Sequence, residues 1–101
     1  MSDKSSDSKE QNVTPEQQDQ VLFMMLVQQH QQIAMMGLGE MENPTTGKQE
    51  KDIKAVKYAV DTLTMLEKYT AGNLTDEMSA YLSDTLKQLR MKYVDASKSE
   101  E

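Results

Sequence analysis

The chain has 101 residues, the size of one small domain. Its 11 Lys+Arg stand against 17 Asp+Glu for a formal charge of −6, and it holds no Cys, no Trp and one His. These counts exclude disulfide scaffolds, thiolate zinc sites and cysteine nucleophiles, and the acidic balance argues against nucleic acid or an anionic membrane as a main partner.

Met1–Asn12 is built of Ser, Asp, Lys, Glu and Gln and has no apolar core behind a basic start, so it does not read as a secretory signal. The expected organisation is a disordered acidic and polar tail over 1–13, a helical domain over 14–94 and a second disordered tail over 95–101. Both tails are too poor in apolar side chains to offset the entropy of ordering. The longest apolar run, Val21 to Val27, falls short of the ~20 residues a membrane span requires. A cytoplasmic protein with no membrane partner is expected.

The predicted fold class is all-α, with three helices. The first opens at Thr14-Pro15-Glu16-Gln17, where Thr suits the N-cap, Pro the first helical position and Gln17 the reciprocal place of a capping box. It should run to Met36, with Gly37 and Gly39 as its stop. Asn43-Pro44-Thr45-Thr46-Gly47 then reads as a turn. The second helix is expected from about Lys51 to Ala71, closed by Gly72. Thr75 caps the third, Asp76 and Glu77 favour its dipole, and it continues to about Val94. The short link between the second and third helices implies an antiparallel hairpin.

The faces of the helices differ. At ~100° per residue the third is cleanly amphipathic, with Met78, Tyr81, Leu82, Thr85, Leu86, Leu89 and Tyr93 on one side and Ser79, Ser83, Asp84, Lys87 and Arg90 on the other. The second has a narrow polar strip of Lys54, Lys57, Asp61, Thr64 and Lys68. Its wide apolar arc holds Ile53, Val56, Val60, Leu63 and Leu66, then Tyr58, Met65 and Tyr69, with Glu67 inside the arc for no reason the sequence gives. The first helix is apolar on three sides. Leu22, Met25, Leu26, Ile33 and Met36 form one stripe; Phe23, Val27, Ala34 and Leu38 a second; Val21, Met24 and Met35 a third. Such a helix requires burial all round, and two short amphipathic helices cannot enclose it. Self-association, most simply a two-fold dimer, would complete the enclosure. The candidate interface is Leu22, Phe23, Met24, Met25, Leu26, Ile33, Met35 and Met36.

Reactive groups are few. His30 has Leu26 and Ala34 one turn away on either side, so it reads as a partly exposed helix residue among glutamines rather than a ligand or base. The Gln-rich stretch Gln17–Gln32 reads as an ordinary helix, its amides costing less to bury than charges would. Two methionine pairs, Met24-Met25 and Met35-Met36, lie about three turns apart. They read first as packing and second as an adaptable contact surface. Lys48, Lys51, Lys54 and Lys57 read as a solvated face blunted by Glu50, Asp52 and Asp61. No catalytic, cofactor or metal residues are nominated, and no cofactor is expected.

From Gly39 onward the order and spacing of motifs are specific. Asn43-Pro44-Thr45-Thr46-Gly47-Lys48 is followed by Asp52-Ile53, then Val60-Asp61-Thr62-Leu63-Thr64-Met65-Leu66. Thr70-Ala71-Gly72-Asn73-Leu74-Thr75 and Leu89-Arg90-Met91-Lys92-Tyr93-Val94 complete the pattern. Across Val21 to Val94 this resembles the small bacterial family catalogued as domain of unknown function eighteen-forty-four. Tyr69 departs from it where Lys is usual, and Met78 where Glu is common. The resemblance implies a bacterial, cytoplasmic, all-helical protein with no known activity, and it carries over no catalytic residue. The expectation is therefore a non-enzymatic interaction or scaffold protein that self-associates through the first helix. The alternative is a monomeric adaptor or inhibitor whose Met-rich first helix docks into another protein.

Overall fold

The computed structural model describes residues 13–100 and contains three helices, α1 (Pro15–Gly37), α2 (Ile53–Thr70) and α3 (Asp76–Glu100). The fold is all-α. Among the described residues the only strand-like pairing is an isolated antiparallel bridge between Leu38 and Lys51. Residues 1–12, expected to form a polar tail, lie outside the described residues, as does Glu101.

Local chemistry sets most helix ends. The Thr14 hydroxyl accepts from the Gln17 N–H (3.1 Å) and the Gln17 side chain accepts from the Thr14 N–H (2.9 Å), which completes the predicted capping box. At the other end of α1 the helix passes through Gly37 and stops at Gly39, whose φ of 80° no side-chain-bearing residue adopts readily. Gly39 N–H donates to the Met36 carbonyl (3.0 Å) and Glu40 N–H to that of Met35 (2.9 Å), a complete Schellman closure. Gly37 has a separate role. A Cβ there would sit 2.7 Å from the Asp52 carbonyl oxygen and 2.8 Å from Val56 Cγ2, so only glycine lets α1 and the start of α2 approach this closely.

The turn between α1 and α2 forms as predicted. Asn43 Oδ1 accepts from Thr45 N–H (2.8 Å), and the Asn43 carbonyl accepts from Gly47 N–H (2.7 Å). α2 begins at Ile53 rather than Lys51, because Asp52 is its N-cap and takes the Ala55 N–H on its carboxylate (3.3 Å). Thr75 caps α3 through the Met78 N–H (3.1 Å). α3 runs on to Glu100 instead of ending near Val94, so the stretch after Asp95, expected to be a disordered tail, is helical to that point. The reason is packing: Ala96 extends the Leu89–Tyr93 face and is itself buried, and Lys92 one turn earlier binds Glu40 (2.9 Å).

The Asp52 N–H donates to the Gly37 carbonyl (2.7 Å), so α2 starts beside the end of α1 and runs antiparallel to it. α3 returns antiparallel to α2, and the contact between α1 and α3 is the smallest of the three. The core lies between these faces. Its largest fully buried side chains are Leu63 from α2, Leu82, Leu86 and Leu89 from α3, with Val27 and Val56 beside them.

Candidate protein interface

Only one of the three apolar stripes of α1 faces the core. Val27 and Ala34 are fully buried, Leu38 nearly so, and Phe23 packs partly against them. The stripe of Leu22, Met25, Leu26, Ile33 and Met36 is only partly covered. Leu22 is 60% and Met25 50% exposed, while Leu26, Ile33 and Met36 are half-buried. The third stripe is split: Val21 is 56% and Met24 39% exposed, and Met35 packs against the core margin. The eight nominated residues are thus not equivalent. Leu22, Met24 and Met25 present open apolar surface, and Phe23, Ile33 and Met35 are partly spent on the chain's own core.

This surface is also uncharged. From Gln20 to Gly39 no Asp, Glu, Lys or Arg occurs, and Gln28, Gln29 and Gln32 supply the exposed polar groups. The outer faces of α2 and α3 contrast with it. Lys54, Lys57, Asp61 and Lys68 are exposed on α2, and Asp84, Lys87 and Arg90 on α3. Lys57 Nζ lies 2.6 Å from Asp61 Oδ2. That hydrogen bond, then the charge of Asp61, holds the ammonium above its ordinary value of 10.5. Tyr58, Met65 and Tyr69 add further exposed apolar area to α2.

Two residues behave differently from the sequence reading. His30 is not partly exposed but buried (8% exposed): its Nδ1 lies 2.9 Å from the Leu26 carbonyl oxygen, and its ring stands 5.8 Å from that of Tyr58 on α2. The imidazole is therefore a packing element of the α1–α2 contact. Glu67 finds its reason across the hairpin. Arg90 of α3 reaches α2, donating to Thr64 Oγ1 (2.9 Å) and lying 4.0 Å from Glu67 Oε1. No residue one turn away on α2 signals this partner, so the sequence alone hides it.

A cavity of about 490 Å³ is an open groove between the starts of α1 and α3, lined by Val21, Met24, Thr75, Met78 and Tyr81 with Gln17, Gln20 and Glu77 at its rim. Among the described residues no group of three His, Cys, Asp or Glu is placed to hold a metal ion, and no helix is long and apolar enough to cross a membrane.

No curated protein and no solved structure matches the chain significantly. A family model described as Domain of unknown function (DUF1844) matches residues 20–95, which includes most of each helix and most of the chain. The chain belongs to the DUF1844 family.

Proposed function

We propose that this protein is a non-enzymatic interaction or scaffold protein of the bacterial cytoplasm that self-associates through α1. The observation that carries this reading is the pairing of exposure with neutrality. Leu22 and Met25 are at least half exposed on a helix whose central 20–39 stretch has no charged residue, in a chain of net charge −6. Two copies of an acidic protein repel at most approaches. They meet without like-charge contact where the surface is both apolar and uncharged, and α1 supplies that surface. The outer faces of α2 and α3 also expose apolar side chains, among them Tyr69 and Met91, but there they are interspersed with charged residues such as Lys68 and Arg90.

The poverty of reactive groups supports the non-enzymatic half of the reading. His30, the chain's one imidazole, is buried and engaged in packing against Tyr58. The test is the light-scattering mass of the full chain at micromolar concentration, beside a Leu22→Glu/Met25→Glu variant. A multiple of 11.5 kDa for the parent, with a folded variant of monomer mass and unchanged helicity, is the expected pair of results. A folded monomeric parent would overturn the reading in favour of an adaptor whose Met-rich surface waits for a different protein.

A further inference from the structure

α1 and α3 both run antiparallel to α2, so their starts lie at the same end of the molecule, and the seam between them has the least contact of the three helix pairs. Two cavities open along that seam. The one of about 490 Å³ has Val13, Val21, Met24, Met78 and Tyr81 as its apolar lining. A second of about 310 Å³ adjoins it through Gln20, Thr75 and Met78 and adds Phe23 and Leu74. Together they form an open apolar trough. The charge around it is of one sign. Glu77 lines the larger cavity, Glu16 and Asp19 line the smaller, and Asp76 stands beside Glu77 in the first turn of α3. No Lys or Arg occurs from Val13 to Gly47 or from Tyr69 to Leu86, the stretches that build both cavities. Lys68 lines neither; its ammonium lies 5.4 Å from the centre of the Tyr69 ring. Each helix start adds only about +0.5 of a charge, well short of offsetting four carboxylates.

We infer that this trough docks a basic amphipathic helix of another protein. Its apolar side chains seat against Met24, Met78 and Tyr81, and its Lys or Arg side chains reach Glu77, Glu16 and Asp19. Charge complementarity selects this occupant. A wholly acidic rim around an apolar floor attracts cationic helices and rejects acidic ones, so the same carboxylates supply both attraction and specificity. They also repel a nucleic acid or an anionic membrane surface. The thioethers of Met24 and Met78 suit the floor, because flexible, polarisable side chains mould to the apolar face of a helix laid in a groove. The site is separate from the proposed self-association surface. Val21 and Met24 stand ~100° round α1 from Leu22 and Met25, so the two readings use different sides of the helix and fail independently.

The test titrates the full chain into a fluorescently labelled amphipathic peptide of Leu and Lys, about 15 residues long so that it can form a helix. Anisotropy is read at about 0.15 M salt, where loose attraction between exposed charges is screened. The parent is expected to bind with a Kd on the order of 10 μM. A Leu/Glu peptide of the same pattern and a Ser/Lys peptide of the same charge are expected not to bind at that concentration. Met24→Gln and Glu77→Lys, each checked for parental helicity, are expected to weaken binding about tenfold. Met91→Gln and Glu42→Lys make the same changes at exposed positions outside the trough and are expected to leave binding within about twofold. Equal binding of the Ser/Lys peptide would reduce the effect to net charge and overturn the inference. So would binding that Met24→Gln and Glu77→Lys leave unchanged, or that all four variants weaken alike. No binding of the Leu/Lys peptide to the folded parent would overturn it outright. The mass of the parent is read separately, so each of these failures leaves the self-association reading where it stood.

Discussion

α1 and α3 are both rich in large apolar residues but dispose of most of them differently, although α3 too leaves Met91 and Val94 exposed. On α3 the apolar side is consumed by the fold: Met78, Leu82, Leu86 and Leu89 are all at most 5% exposed, and Ser79, Ser83, Asp84, Lys87 and Arg90 face water. On α1 one stripe is consumed and the remainder is exposed or half-buried, with glutamines where α3 has charges. A helix needs only one apolar stripe to join a three-helix core. α1 has more apolar surface than its own fold uses, and its exposed polar positions are glutamines rather than charges.

The largest effects should fall on the consumed side. Leu86→Ala empties a fully buried site and is expected to cost about 2–5 kcal/mol, read as a large fall in Tm. Leu22→Ala, measured dilute enough to populate monomer, should stay within ~0.5 kcal/mol of the parent. Equal losses for the two would erase the distinction between the helices. Gly37→Ala comes next. Its methyl would meet the Asp52 carbonyl at 2.7 Å, so α1 and α2 must separate, at a cost of about 1–3 kcal/mol by denaturant titration. A neutral Gly37→Ala would show that the close approach carries no weight.

The smallest effects compare the two caps. Thr75→Ala removes the hydroxyl that accepts from the N–H of Met78, a buried residue, and should lower stability by ~1 kcal/mol. Thr14→Ala should cost only ~0.5 kcal/mol or less, because the turn it caps, Pro15 to Gln18, is wholly exposed and frays without disturbing the core. Thermal melts of the two variants side by side decide it. A larger loss at Thr14 would mean that the start of α1 is held by contacts beyond the single chain.

What could be read from the sequence was local. Thr14, Thr75, Gly72 and the Asn43–Gly47 turn act through bonds spanning a few residues, so their chemistry is visible in short windows. Asp52 was equally local. Its carboxylate before Ile53 is an ordinary N-cap signal, overshadowed by the lysine series around it. What could not be read depends on partners far along the chain. The burial of His30 requires Tyr58, Glu67 requires Arg90, and the last turns of α3 require Ala96 to reach the core and Lys92 to reach Glu40. The three stripes of α1 were legible as stripes. Which of them faces inward is set by where Gly37 lets α2 approach, and no periodicity contains that. The candidate interface residues were therefore nominated as a set, and only the fold separates exposed ones such as Leu22 and Met25 from Phe23, which packs partly on the core.

The measurement that bears most directly on the surplus of α1 is the light-scattering mass of the full-length chain at micromolar concentration. The account predicts a defined multiple of 11.5 kDa, reduced to one chain by Leu22→Glu/Met25→Glu with helicity intact. A folded parent of 11.5 kDa across that concentration range would contradict it.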